Sequence, residues 1–213
     1  MLTGNPFIAL IAILLLYGVA DRLFFGFLPD FLAPLKRNRR IKSLLAQIRL
    51  NPSDANGALE LGVLHFEKRK YDKALEYLVK AKEKIENSAR LYMYMGMAYM
   101  EKGDSGKGKE ALDRALEINP SVGYGTPYIY LIQYCISRQI DDHNELAKLK
   151  ECFEGFANAE NFFKMGRVYK RIGNRQTAKD MFRHAIKEYS YCPGALKRLH
   201  RKWAFFSWIN SLT

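Results

Sequence analysis

The feature that most constrains this chain is a dipeptide that returns in register. Leu61-Gly62 is followed by Met95-Gly96 at an offset of 34 residues and by Met165-Gly166 a further 70 residues on, close to two more periods. The same residue classes recur around each pair. Three residues after the glycine stand His65, Tyr99 and Tyr169; twelve after it, Ala74, Gly108 and Ala178. Sixteen after it stand Leu78, Leu112 and Phe182; nineteen after it, Ala81, Ala115 and Ala185. From Ile41 onward apolar residues are spaced mostly by three and four, the helical period, with no strand-like alternation. Asn51-Pro52, Gly103-Asp104, Asn119-Pro120 and Gly173-Asn174 punctuate this pattern into helices of roughly 12–16 residues. Small residues are expected to let the two helices of a unit cross closely, and the large apolar residue to fill the gap between neighbouring units.

This arrangement resembles the tetratricopeptide repeat family, whose 34-residue unit is a helix–turn–helix. The resemblance implies an all-α solenoid over residues 41–192, with units at 55–88, 89–122 and 159–192. Residues 123–158 read as a degenerate unit with helices near 127–138 and 144–156. Residues 36–50 read as the lone second helix of a truncated first unit, and 193–213 as a carboxy-terminal capping helix. In the family the first helix of each unit lines a concave groove. Carried onto this chain, those positions are Leu59, Val63 and Phe66, then Met93, Met97 and Met100, then Phe163, Arg167, Lys170 and Arg171. Arg90 and Glu101 fall at the margins. The implied partner is a protein or peptide that is apolar with an acidic end, since methionine adapts to varied surfaces and the basic cluster pairs with carboxylates. The competing reading is that these methionines pack between helices and the basic face is merely solvated. Chaperone-binding members use a Lys/Asn carboxylate clamp; Leu59 and Val63 occupy its positions in the first unit, so that activity is not expected.

The amino-terminal segment carries no charge before Asp21 and is almost wholly apolar over residues 7–20. Fourteen helical residues reach only ~21 Å, so a helix over about residues 3–23 is needed to span the ~30 Å hydrocarbon core. The chain is therefore expected to begin with a transmembrane anchor and interfacial segment over 1–28, followed by a basic juxtamembrane linker over 29–40. Gly18-Val19-Ala20 before Asp21 also suits signal-peptide cleavage. The charge pattern argues for the anchor: no Lys or Arg precedes the apolar run, while Lys36, Arg37, Arg39, Arg40 and Lys42 follow it. By the positive-inside rule the amino terminus lies outside and the repeats are cytoplasmic in a single-pass membrane protein.

The net charge of +12 is unevenly placed. Residues 36–50 carry +6 and residues 159–213 carry +9, while 51–158 carry −2. Basic ends suit an anionic membrane surface or an acidic partner, and the near-neutral middle argues against nucleic acid. The terminal helix places Leu196, Leu199, Trp203 and Phe206 on one apolar stripe, with Lys197, Arg198, Arg201 and Lys202 largely off it. It is read as a cap on the last repeat, which solenoids require, or as a membrane-surface helix using Trp203 and Trp208. A peripheral protein that binds anionic lipid through its basic ends, or an exported periplasmic adaptor, remains open. Three cysteines without C-x-x-C spacing make a disulfide framework or structural zinc site unexpected. No phosphate loop, dinucleotide fingerprint or nucleophile elbow is found, and neither enzymatic activity nor a cofactor is expected. His65 is read as a core histidine, and His143 with Asp141 and Asp142 as a polar turn.

Overall fold

The structure, a computed structural model, describes residues 6–20, 32–139 and 143–212. It divides into two units, Leu32–Ala157 and Asn158–Thr213, the latter grouped with the amino-terminal segment.

The first unit holds α2 (Ala33–Leu50), α3 (Ala55–Glu67), α4 (Tyr71–Lys82), α5 (Ala89–Lys102), α6 (Ser105–Ile118), α7 (Thr126–Ser137) and α8 (His143–Phe156). Its helix starts follow local capping chemistry. Asp54 accepts from the Gly57 amide at 2.9 Å, Ser88 from Leu91 at 3.2 Å, and Asp104 from Lys107 at 3.3 Å. Gly103 ends α5 in the left-handed region at φ 90°, which glycine adopts without cost. Arg69 and Gln139 take up the same region at φ 56° and 51° without that freedom.

Each glycine of the recurring dipeptide is where two helices touch. A Cβ on Gly62 would stand 2.6 Å from Leu78 Cγ, and one on Gly96 2.6 Å from Leu112 Cγ. The large residue therefore sits on the glycine of its own helix pair, a correction to the expectation that it fills the gap between neighbouring units. Leu78 and Leu112 are fully buried. Ala58, Ala74, Ala81 and Leu91 surround Leu78, while Ala89, Ala115 and Leu131 surround Leu112.

Two further features of this unit bear on the sequence reading, one at its start and one in its interior. Residues 33–40, expected as linker, belong to α2, which Pro34 opens at a position where its missing N–H costs nothing. Ile41 and Leu44 then bury against Leu61, so α2 does pack as a lone second helix. Between α6 and α7 a 3-10 turn, Val122–Gly125, carries three successive residues at positive φ: Gly123 61°, Tyr124 51° and Gly125 83°. A Cβ on Gly125 would press on the Ala157 backbone at 3.3 Å. This left-handed turn is why residues 123–158 fit the 34-residue register poorly.

The second unit holds α9 (Ala159–Arg171), α10 (Arg175–Tyr191) and α11 (Gly194–Ser211). It repeats the same logic. Asn158 and Asn174 cap α9 and α10, and Gly173 at φ 84° joins them. A Cβ on Gly166 would stand 2.6 Å from the Phe182 ring, which is fully buried. The helix α11 covers α9 and α10 as a cap, with half of the expected stripe, Trp203 and Phe206, against the Phe163 ring. Ala204 and Ser207 are its buried positions, and Trp203 lies 5.4 Å from the Phe163 ring. Leu196 and Leu199 are exposed by 45% and 61%.

The helix α1 (Pro6–Ala20) has 15 residues, a rise of about 22 Å. No helix among the described residues is long and apolar enough to cross a membrane. The expected extension to residue 23 lies outside the described residues. Ile13, Leu14, Leu15 and Leu16 are each exposed by 59% or more, so α1 presents apolar side chains on every side.

Candidate interaction surfaces

The groove positions carried over from the family separate into two kinds. Leu59, Val63, Met93 and Met97 are buried and serve the core: Leu59 and Val63 sit in the cluster around Leu78, Met93 and Met97 in that around Leu112. Their side chains pack between helices. Phe66 is half-buried in an aromatic group, with ring centroids 5.6 Å from Tyr71 and 5.5 Å from Tyr94. Met100 is half-buried and faces a cleft. In the second unit Phe163 is buried against Phe182 and Trp203, whereas Arg167, Lys170 and Arg171 are exposed.

The cleft in the first unit is the one the methionine pattern pointed near without locating. It has a volume of about 400 Å³ and is lined by the ends of α5 and α7 and the start of α6. Glu101 is one of its lining residues. The carboxylate accepts from Tyr71 Oη at 3.2 Å and from Tyr130 Oη at 3.0 Å, so α4, α5 and α7 are tied at one side chain. Burial raises the Tyr130 phenol well above its usual range, and the adjacent Glu101 charge raises it further. Both phenols are thus donors at neutral pH and hold the carboxylate in one place. Tyr134, Gln133, Ser105 and Ser137 complete the lining. Arg138 closes one edge: it lies 5.9 Å from the Tyr134 ring centre and donates to Ser105 Oγ at 3.1 Å. A carboxylate offers about four acceptor sites, so two phenol bonds leave it able to receive a further donor. The arrangement can accept a basic or amide group beside an aromatic ring.

From the sequence, Glu101 was visible only as a margin residue. Tyr71 and Tyr130 were missed because they come from neighbouring helix pairs, one of them in the degenerate unit. The signal available was the aromatic run Tyr128, Tyr130, Tyr134.

The basic residues assigned to a membrane surface are also divided by the structure. Arg40 forms a two-pronged pair with Glu60 at 2.7 and 2.6 Å, and Arg37 pairs with Glu67 at 3.0 Å. Hydrogen bonding from Arg40 lowers the Glu60 carboxyl below its usual range. Arg39 and Lys42 are exposed on α2, as is Lys36. In the second unit Trp208 is exposed and Trp203 half-buried.

Two family models described as tetratricopeptide repeat match the chain, one at residues 89–122 and one at 160–190. No curated protein matches in sequence. Among solved structures, the chain is similar to MamA at 22% identity and a TM-score of 0.52, covering 70% of this chain and 86% of that one. It is similar also to YrrB, described as a tetratricopeptide repeat protein with an unusual peptide-binding site, at 19% identity and a TM-score of 0.52. That match covers 81% of this chain and 87% of the other. Identities of this size show the fold alone.

Proposed function

Since the chain is a tetratricopeptide repeat protein, we propose that it is a membrane-confined interaction scaffold that binds a partner segment in the cleft around Glu101. The observation that carries the reading is the carboxylate fixed by two phenols from different helix pairs, in an open cleft with polar and aromatic walls. The partner presents a basic or amide-rich side chain to Glu101 and lays apolar atoms against Tyr134 and Met100. This differs from the apolar peptide with an acidic end expected from the sequence: Met93 and Met97, which were to hold its apolar part, are buried, while Arg167, Lys170 and Arg171, which were to meet its acidic end, are exposed in the other unit. The work is binding rather than catalysis, as the family resemblance implies.

The membrane part of the proposal rests on α1. A helix apolar on every side is at home in a protein core or a bilayer, and α1 exposes most of its large apolar side chains, Ile8, Ile11, Leu15 and Leu16 among them. Together with the apolar residues that follow it in sequence, α1 enters the bilayer, and the basic residues of α2 keep the repeats on the cytoplasmic side. Confinement to a surface raises the local concentration of partners there.

A photo-crosslinking residue at Gln133 in the full chain tests the cleft. The expected result is an adduct whose yield falls several-fold with Glu101→Gln while the fold is kept. An adduct indifferent to Glu101→Gln contradicts the reading. Met97→Glu is the poorer probe, because it buries a charge in the core and reports folding.

A further inference from the structure

Several carboxylates on α4 and α6 are met by the chain's own cations: Asp72 by Lys102 at 2.5 Å, Glu76 by Lys80 at 2.8 Å and Glu117 by Arg114 at 2.9 Å. Glu101 differs. Among the described residues no cation forms an ion pair with it, and Lys102, next in sequence, turns to Asp72 instead. Two neutral phenols hold it, one on each oxygen. Tyr71 Oη donates to its Oε2 at 3.2 Å and Tyr130 Oη to its Oε1 at 3.0 Å. A carboxylate oxygen accepts two hydrogen bonds, so each oxygen of Glu101 keeps one further site. The charge is left unmatched, and anchors from two other helices fix the plane of the group.

That pattern discriminates among donors. A guanidinium is a planar fork whose paired N–H groups reach both oxygens of one carboxylate at once. An ammonium is a compact, strongly hydrated point charge and gains less from two sites held in one plane. An amide can fill a hydrogen bond but leaves the charge unmatched. The walls agree with a long side chain that ends in a cation. Met100 and the Tyr134 ring offer apolar surface to a methylene stem. Arg138 already lies 5.9 Å from the centre of the Tyr134 ring, so an incoming cation is directed to the carboxylate rather than to that ring.

We infer that the group this cleft selects is an arginine side chain, its guanidinium spanning both oxygens of Glu101 and its stem lying on Met100 and Tyr134. The inference rests on the Glu101 cleft being a binding site and narrows its ligand to one side chain.

Random peptides displayed on phage are selected on the full chain held in detergent. The best binder is then resynthesised with its arginine, with lysine, and with citrulline, which keeps the shape of arginine and lacks the charge. The expected result is enrichment of arginine at one position and several-fold tighter binding of the arginine peptide than of the other two. Glu101→Gln is expected to abolish that preference. Glu110→Gln removes an exposed carboxylate elsewhere on α6 and is expected to keep it. Far-ultraviolet circular dichroism confirms that both variants are folded. If lysine or citrulline binds as well as arginine, and Glu101→Gln still weakens binding, the inference is overturned and the cleft stands as a site of broader taste. An arginine preference that survives Glu101→Gln overturns the inference and the cleft together. A selection that enriches no arginine, or yields no binder, also overturns the inference, and the crosslink at Gln133 reports separately whether the cleft is occupied.

Discussion

The helix pair α5–α6 and the helix pair α9–α10 are built on one packing device and carry opposite surfaces. In both, a glycine on the first helix receives a large buried residue from the second: Leu112 on Gly96, Phe182 on Gly166. In both, an Asp or Asn caps the second helix and a left-handed glycine precedes it. Their surroundings diverge. Around α5–α6 charges are matched across helices, as in Lys102 with Asp72 at 2.5 Å and Lys109 with Glu145 at 3.4 Å. Around α9–α10 the pairs of Lys164 with Glu160 and of Arg183 with Asp180 stay within one helix, and Arg175 and Lys179 face a pocket without an acid. Burial sets the fold of each pair, and the charge left outside the core sets what each can meet.

The sharpest way to break the shared packing is at the glycine itself. A Cβ on Gly96 meets not only Leu112 but the Gly108 carbonyl at 2.9 Å, a backbone atom that cannot step aside. Gly96→Ala is expected to lose about 1–3 kcal/mol, the usual cost of overpacking. Gly155, exposed near the end of α8, has nothing within reach of a Cβ, and Gly155→Ala is expected to gain about 0.5 kcal/mol. Urea denaturation of the two variants checks both signs. A stable Gly96→Ala breaks the claim that close helix crossing fixes these units.

A smaller effect separates the helix ends. Gly103 and Gly173 reach the left-handed region freely, whereas Arg69 at φ 56° carries a Cβ there. Arg69→Gly is expected to stabilise the first unit by up to about 1 kcal/mol, net of the freer unfolded chain. Gly103→Ala is expected to destabilise it by a comparable amount. The same denaturation series compares them, and equal signs contradict the account.

The smallest effect is a pH dependence at the position held by tyrosine in the other two units. His65 is buried and stacked on Tyr77 at 5.5 Å. Burial lowers its imidazole below the usual value, helped by Lys73, Lys70 and Lys68. The unfolded chain therefore binds the proton more readily than the folded one. Stability from this site is present above about pH 6.5, the unfolded value, and is lost as pH falls from there through the lower folded value. Between pH 7.5 and 5.5 the melting temperature of the natural chain is expected to fall further than that of His65→Tyr; parallel profiles contradict it.

What the sequence made legible was whatever repeats. The glycine and large-residue pairs fall where the period places them, as do the caps, and α7 and α8 lie within a residue or two of their expected bounds. What it hid depends on which way a helix face turns. Met93 and Met97 look like an adaptable lining but face the core, because α7 adds Leu131 over them. On α11 the spacing of Leu196, Leu199, Trp203 and Phe206 suggests one contact stripe. Trp203 and Phe206 do meet Phe163, but Leu196 and Leu199 are exposed and Ala204 and Ser207 are the buried positions, since small residues allow α11 to lie close. The Glu101 cleft escaped notice because its phenols come from helices 29 and 30 residues away, and no period relates them.

The central claim is that these repeats work beside a membrane on its cytoplasmic side. Intact cells producing the full chain are treated with a membrane-impermeant thiol reagent, and their membranes are then washed with alkali. Cys152 and Cys192 are half-buried and serve as reporters, one in each unit, with unfolded protein as the labelling control. The account predicts that the chain resists the wash and that both cysteines react only after permeabilisation. Release of the full-length chain by alkali, or labelling in intact cells, contradicts it.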